Sequence, residues 1–387
     1  MNFSLIAFLF LILSIFILSN YYIGKRIYKN INYVVPLHKG FFWLFFILFS
    51  STYIISRFIE KFLPYKFSSI IVTGSSYWII FFFYALLFLL LLDLIAFIDK
   101  KIDFLPEILK YKKDNRAVIT VFLITLIMAL GIFGSFQAKD LQVTEYTVET
   151  TKELKQNYTI VLISDIHISY QVGYEELKKM IDLVNNQSPD YVLIAGDFFD
   201  GDWRTFYEEN INSLLKEFKP RKGSYMVLGN HDNFMDNTEI IPFLFAESGI
   251  NVLSDEKVLL NEDLLLIGRK DITVGRERYG EDTRIHLDEL LKDTDPELFS
   301  ILMDHSPVEI YDAEKLGVNL QVSGHTHQGQ IYPFGVITER YYPFDYGHLI
   351  RGDYHLIASS GAGTWGPPVR IGTKSEIVRI NVKQKVR

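Results

Sequence analysis

The chain has 387 residues, 49% of them hydrophobic and 22% charged, with a formal net charge of −7 and no cysteine. Disulfides and thiolate chemistry are excluded, any metal site must use His, Asp or Asn, and the acidic balance argues against nucleic acid as a partner. The mean hydropathy of +0.15 is high for a soluble protein, and the excess sits in the first third.

Four uncharged stretches carry that excess, at about 3–23, 40–56, 67–92 and 117–138. A membrane span needs about 20 apolar residues, with about 17 as the lower limit, so each is expected to be a transmembrane helix. The alternative for the first is a signal peptide, but a span is expected: Lys25 is the first lysine and follows the apolar run, and no small-residue cleavage site is evident. Asp93 sits at the edge of a span and no ionisable residue lies inside one, so an anchor or small bundle is expected rather than a transport pathway. Leu94, Ile95, Phe97, Ile98, Ile102, Phe104 and Leu105 read either as an interfacial helix or as the end of the third span. Basic residues are denser in the first loop (Lys25, Arg26, Lys29, Lys39) and the third (Lys100, Lys101, Lys110, Lys112, Lys113, Arg116). The second loop has Arg57, Lys61 and Lys66, and the segment after the fourth span has Lys139, Lys152 and Lys155. The positive-inside rule then puts loops one and three in the cytoplasm and the rest of the chain on the extracytoplasmic side.

The pattern changes at about residue 140, which divides an anchor (1–139) from a second domain (140–387). Leu141, Val143, Tyr146 and Val148 alternate with polar residues and predict an opening strand pair. It follows the last span almost directly, so the domain is expected close to the bilayer. Strand-length apolar runs follow at Thr159–Ile163, Tyr191–Ala195, Ser224–Leu228, Leu264–Ile267, Ser300–Met303, Leu320–Val322 and His355–Ala358. Leu177, Met180, Ile181 and Val184 have the spacing of one buried helical face, and Arg204–Phe218 and Thr238–Ser248 also read as helices. Strand–helix alternation implies an α/β fold with buried central strands.

Five polar signatures close five of those runs: Asp165-Ile166-His167, Gly196-Asp197-Phe198-Phe199-Asp200, Gly229-Asn230-His231-Asp232, a lone His305, and Gly324-His325-Thr326-His327. In α/β sheets ligands bind beyond the carboxyl ends of strands, so these groups are expected along one edge. Imidazoles mixed with hard oxygen ligands suit divalent Mn, Fe or Zn. Each signature alone has a structural explanation in a turn, a cap or a satisfied histidine. All of them in order, each at a strand end, do not.

On these residues the chain resembles the calcineurin-like metallophosphoesterase superfamily, from about Leu141 to the C-terminus. Gly324-His-Thr-His-Gln-Gly-Gln330 and Gly361-Ala-Gly-Thr-Trp-Gly-Pro-Pro-Val-Arg370 resemble a membrane-associated bacterial branch, with Gln328 where the usual form has glycine. The resemblance implies a four-layer α/β/β/α sandwich behind a four-helix transmembrane region. It implies that Asp165, His167 and His327 hold one ion, that Asn230, His305 and His325 hold the other, and that Asp197 bridges them. His231 matches the family's catalytic histidine that binds no metal, and Asp200 the carboxylate that supports it. The expected reaction is hydrolysis of a phosphodiester or phosphomonoester by water activated between two divalent ions.

The expected partners are a phosphorylated small molecule or lipid, a cell-envelope compound included, and the membrane itself; no nucleic acid is expected, and oligomeric state leaves no signal. The competing reading is a non-catalytic scaffold on the same fold, against which the complete ligand set stands. His286, His348 and His355 match no motif and read as structural. Trp203, Trp365 and the aromatic run Tyr341–Tyr346 read as loop packing ahead of substrate or lipid contact, and Arg276 and Arg278 as a solvated loop ahead of a phosphate contact.

Overall fold

Alternation of apolar runs with charged loops gives four helices in the computed structural model of the chain, which describes residues 3–106, 110, 115–201, 203–274 and 283–385. They are α1 (Phe3–Ile31), α2 (Lys39–Ile59), α3 (Tyr65–Ile102) and α4 (Arg116–Lys139), and by length and composition all are long and apolar enough to cross a membrane. α3 runs for 38 residues and takes in Leu94 to Ile102, so that apolar run is the end of the third helix and not a separate interfacial one. Asp93 lies within this helix, which is longer than the span expected over 67–92. It is paired there: Arg26 stands 2.8 Å away and the Tyr22 hydroxyl donates to it at 2.6 Å.

The chain divides into two compact units, 1–133 and 134–387. The second opens with the last turn of α4 and carries two six-stranded sheets. The first sheet has the order β1 (Leu141–Thr150), β12 (Ser375–Gln384), β2 (Tyr158–Ile163), β3 (Tyr191–Ala195), β4 (Gly223–Val227), β5 (Ile250–Val252). The second has β10 (Gly347–Arg351), β11 (Tyr354–Ala358), β9 (Leu320–Ser323), β8 (Phe299–Met303), β7 (Leu264–Gly268), β6 (Glu256–Leu260). The runs read as strands all appear within a residue or two. The opening strand pair does not: β1 is one strand, and its partner is β12, parallel, from Leu141↔Ser375 to Thr150↔Gln384. The helix expected over Arg204–Phe218 is broken in two, Arg204–Glu208 and Ile211–Leu215, where Asn210 turns left-handed at φ 53.

Side chains alternate across each strand, and this alternation builds the layers. Ile160, Leu162, Leu193 and Ile380 of the first sheet meet Leu266, Ile301, Met303 and Ile357 of the second in one core. Val161, Ile163, Val192 and Ile194 point the other way, beneath Leu177, Ile181 and Val184 of α5 (Tyr174–Asn186). Leu265, Ile267 and Leu302 do the same on the far side, beneath Leu287, Leu290, Ile310 and Ala313 of the helices Leu287–Leu290 and Ile310–Lys315. The result is the expected α/β/β/α sandwich. β2, β3, β4 and β5 run parallel, as do β7, β8, β9 and β11, so within each sheet these carboxyl ends share one edge.

The end of α4 is built into the second unit. The Arg370 N–H donates to the Gly134 carbonyl at 2.9 Å, and the Ser375 hydroxyl to that of Ala138 at 2.8 Å. Gly134 permits this approach, since a Cβ there would stand 2.5 Å from Val369 Cγ1 and 2.9 Å from Ile371 Cγ1. A Cβ on Gly131, one turn earlier, would meet nothing within 4 Å. Gly134→Leu is therefore expected to destabilise the second unit by about 1–3 kcal/mol, the usual cost of overpacking. Gly131→Leu is expected to leave it unchanged. Thermal unfolding of the detergent-solubilised chain checks both, and equal midpoints for the two variants would contradict the packing.

Candidate metal centre

The carboxyl ends of five strands deliver the signatures to one place. Asp165 and His167 follow β2, Asp197 follows β3, Asn230 and His231 follow β4, His305 follows β8, and His325 and His327 follow β9. The turns are held by bonds between signatures: Asp165 N–H to the Gly196 carbonyl (3.0 Å), His167 N–H to that of Asp197 (3.0 Å), and Gly324 N–H to that of His305 (2.9 Å). Asp165, His167, Asp197, His325 and His327 all have φ between 50 and 73. Side chains other than glycine rarely adopt this left-handed backbone, and such residues gather where surrounding structure holds them for a purpose. Here the reversal turns consecutive ligand-type side chains into one cleft. Gly196 has φ 82, and a Cβ on it would stand 2.5 Å from His305 Nδ1, so no other residue fits between Asp197 and that ring.

Two groups form. In one, ligand atoms of Asp165, His167 and His327 lie within 4.8 Å of one another; in the other, those of Asp197, His305 and His325 do. His167 Nε2 is 3.0 Å from His327 Nε2, which is 3.4 Å from Asp165 Oδ1. His305 Nε2 is 3.1 Å from His325 Nδ1 and 3.2 Å from Asn230 Oδ1. Asp197 Oδ2 stands between the groups, 3.2 Å from His305 Nε2 and 3.8 Å from His167 Nε2. Its other oxygen accepts the His231 N–H at 2.8 Å.

The donor set fits a divalent cation. His305 Nδ1 faces the Ala195 carbonyl at 2.8 Å and must donate to it, which leaves Nε2 as the lone-pair nitrogen of a neutral ring. That nitrogen faces Asp197 Oδ2, Asn230 Oδ1 and His325 Nδ1, so even a charged His305 brings only one hydrogen to several converging acceptors. Burial disfavours charge on His305, but Asp197 outweighs it and holds the ring well above its ordinary value. Burial, and then the neighbouring His305, push His325 down to about 4. Burial also lowers His167, and lowers His327 further with His167 and Arg370 beside it. Asp165 is raised by burial. A cation among these atoms replaces the missing hydrogens and favours neutral imidazole and ionised carboxylate.

His231 lies beside both groups, its ring edge-on to His167 at 4.8 Å. Its Nδ1 is 3.0 Å from Asp200 Oδ1, and both side chains are partly exposed, 22% and 16%. Burial works against a charged His231, but the bond to Asp200 outweighs it and raises the group.

All the residues singled out in the sequence for this centre are thus brought together. Others are not. His348 and His355 pair with each other at 2.9 Å across β10 and β11, and His286 precedes the helix Leu287–Leu290. Trp203 donates to the Asp236 carbonyl and packs on Phe199, as loop packing. Trp365 is 55% exposed with its ring 6.4 Å from that of His231, and the Tyr342 hydroxyl meets His325 Nε2 at 2.8 Å. Arg276 and Arg278 lie outside the described residues.

Two supporting residues carried no role in the sequence reading. Asp232 is fully buried and accepts the N–H groups of Phe199 and Gly229, both at 2.9 Å, which ties the second signature to the third. Its carboxyl is pushed up to about 7, by burial and then by Asp197, against the pull of those two bonds. Arg370 is fully buried and donates to the carbonyls of Ser360, Gly361 and Gly363, with Nη2 3.4 Å from His327 Nδ1. The only sequence signals were position: Asp232 closes the third signature and Arg370 closes the tail motif.

The calcineurin-like phosphoesterase family model matches residues 158–329. An uncharacterized metallophosphoesterase of Campylobacter jejuni is 31% identical over 98% of this chain and 99% of its own length. A second, from Aquifex aeolicus, is 31% identical over 66% of this chain and 97% of its own length. A transmembrane protein with metallophosphoesterase domain from Danio rerio is 31% identical over 70% of this chain and 63% of its own length.

The one departure from the expected motif has a structural reading. Gln328 has φ 52 and ψ 32, the left-handed region in which glycine is at ease. There an L side chain costs about 1–2 kcal/mol, against about 0.5–1 kcal/mol for the extra backbone entropy of glycine. Gln328→Gly is therefore expected to hold or raise the thermal midpoint by up to a few degrees, and the β-branched Gln328→Val to lower it. Equal losses in both variants would contradict the assigned backbone.

Proposed function

We propose a function from one premise: the chain belongs to the calcineurin-like phosphoesterase family, and so is a hydrolase of phosphate esters. In our reading it is a membrane-anchored enzyme whose centre takes two divalent ions, Mn, Fe or Zn. Asp165, His167 and His327 would hold one, Asn230, His305 and His325 the other, and Asp197 would bridge. The observation that carries this is the position of Asp197 Oδ2, within 3.8 Å of a histidine nitrogen of each group. Ions at such a centre polarise the phosphoryl group and make a nucleophile from water at neutral pH.

The remaining steps fall to the chain's own side chains. Asp200 engages His231 Nδ1, which fixes the ring and leaves Nε2 as the atom to present to a substrate. From there it donates a proton to the leaving oxygen or a hydrogen bond to an equatorial one. The Asp197–His231 N–H bond couples the position of this ring to the carboxylate between the two groups. The substrate is a phosphodiester or phosphomonoester near the bilayer, with a lipid or cell-envelope compound favoured by proximity. The membrane anchor runs to about residue 139, its last turn packing with the second unit, the four helices span the membrane, and the catalytic domain is extracytoplasmic on the strength of the basic residues in loops one and three.

The purified chain with Mn²⁺ is expected to hydrolyse bis-p-nitrophenyl phosphate or p-nitrophenyl phosphate and to stop with EDTA. His231→Ala is expected to lower kcat about 10²–10⁴-fold with bound metal unchanged, the range for loss of a general acid. Asp197→Ala is expected to lose metal as well as activity. Normal turnover and metal content in both variants would sink the residue assignments.

Orientation has its own check. A reporter fused after Arg387 is expected to be active only outside the cytoplasm, and cytoplasmic activity would reverse the topology.

A further inference from the structure

The helix Phe334–Tyr341 stands at the rim of the centre with none of its residues buried. Val336 is 58% exposed, Ile337 60% and Tyr341 78%, and Tyr332 just ahead of the helix is 62% exposed. Contiguous apolar exposure on a soluble surface marks a contact with something else. The chain says what that is, because the same short segment is tied to a membrane span on one side and to the centre on the other.

The tie to the span runs through Ile371. Tyr332 N–H donates to the Ile371 carbonyl at 2.8 Å, and Ile371 N–H to that of Gln330 at 3.0 Å. Ile371 Cγ1 and the Arg370 N–H both meet Gly134 of α4. Gly134 is not beyond the span but inside its uncharged stretch, which ends at Ala138. At about 1.5 Å per residue, Gly134 lies about 8 Å along the helix from Lys139, the first charge. The lead-in of the exposed helix is thus held beside the last uncharged turns of α4. The tie to the centre is equally direct: Tyr342 follows the helix, donates its N–H to the Thr338 carbonyl, and meets His325 with its hydroxyl. On the other rim Gln330 is clamped to Trp365, its Oε1 taking the Trp365 N–H and its Nε2 donating to the Trp365 carbonyl, both at 2.9 Å.

We propose that Tyr332 and the helix Phe334–Tyr341 lie in the headgroup–acyl boundary of the bilayer that holds α4, and that the centre beside them works on phosphate esters presented at that surface. Tyr332, Phe334, Val336, Ile337 and Tyr341 beside the exposed charges Glu339 and Arg340 make the mixed aromatic, apolar and charged composition that settles at this depth. The bilayer is preferred to a soluble protein partner because the segment is anchored within the reach of a span. The second half of the proposal rests on the phosphoesterase reading of the centre; the first half does not.

The chain has no cysteine, so Ile337→Cys introduces a single thiol for a fluorophore in the full-length protein. Leu259→Cys serves as the control: Leu259 is 55% exposed on β6, by the amino end of β7 and away from the signature edge. In vesicles of phosphatidylcholine and phosphatidylglycerol, lipids brominated near the headgroup are expected to quench the label at 337 at least threefold more than the label at 259. Quenching of both labels by aqueous iodide alone would overturn the membrane contact, whatever the enzyme does. A second arm compares Ile337→Glu with the unaltered chain on bis-p-nitrophenyl phosphate in solution and on hexadecyl p-nitrophenyl phosphate dissolved in those vesicles. Turnover of the first is expected to hold within twofold and that of the second to fall at least tenfold. Equal effects on both probes would overturn the surface-presented substrate, and no turnover of either by the unaltered chain would overturn the phosphoesterase reading while the quenching result still stands.

Discussion

The structure depends on acceptor atoms crowded around one buried carboxylate. Asp197 is almost fully buried, and within 3.8 Å of its Oδ2 stand nitrogens of His305 and His167. Burying such groups with too few matching donors costs several kcal/mol, and a chain tolerates it only where the backbone leaves no way to relax. The left-handed turns at Asp165, His167, Asp197, His325 and His327 supply that restraint. Each costs energy by itself, and those at Asp165, His167, Asp197 and His325 are pinned by a bond to another signature. The signatures thus hold one another's geometry through these bonds.

The sandwich makes that assembly possible. Asp165, His167, Asp197 and Asn230 come from the first sheet; His305, His325 and His327 come from the second. Facing sheets pack about 10 Å apart, a gap too wide for short polar side chains unless the strand ends bend toward each other. The bond from His305 Nδ1 to the Ala195 carbonyl crosses that gap directly. It fixes the ring's tautomer and the separation of the two sheets at the same point. The apolar layer formed by Ala195, Met303 and Val322 lies just behind and sets how closely the two edges approach. Packing and chemistry are therefore coupled through one imidazole.

Much of this was legible in the sequence because the parallel strands are buried on both faces. Ile160-Val-Leu-Ile163 and Tyr191-Val-Leu-Ile-Ala195 have no polar side to confuse the reading, and the residues that follow them stand out by contrast. What escaped depended on distant partners. β12 inserts between β1 and β2 from more than two hundred residues away, and nothing local in Leu141–Thr150 names it. The break in the helix after Arg204 hangs on one left-handed asparagine that periodicity does not register. Asp232 and Arg370 satisfy backbone groups of remote loops, so their role appears only when those loops are in place. Gln328 was noticed as a departure from the motif, but its meaning, a side chain kept at a backbone suited to glycine, is a matter of torsion angle.

Arg370 shows why the centre and the membrane should be considered together. Its guanidinium closes the loop carrying Ser360, Gly361 and Gly363 behind His327, while its own N–H is bonded to Gly134 in α4. One residue thus touches both the support of the centre and a helix long and apolar enough to cross a bilayer. Between α4 and β1 stands only Asp140, too little chain to act as a flexible tether. Within the second unit the last turn of α4 and the loop behind His327 therefore share one residue, and the support of the centre is settled in folding rather than at each turnover.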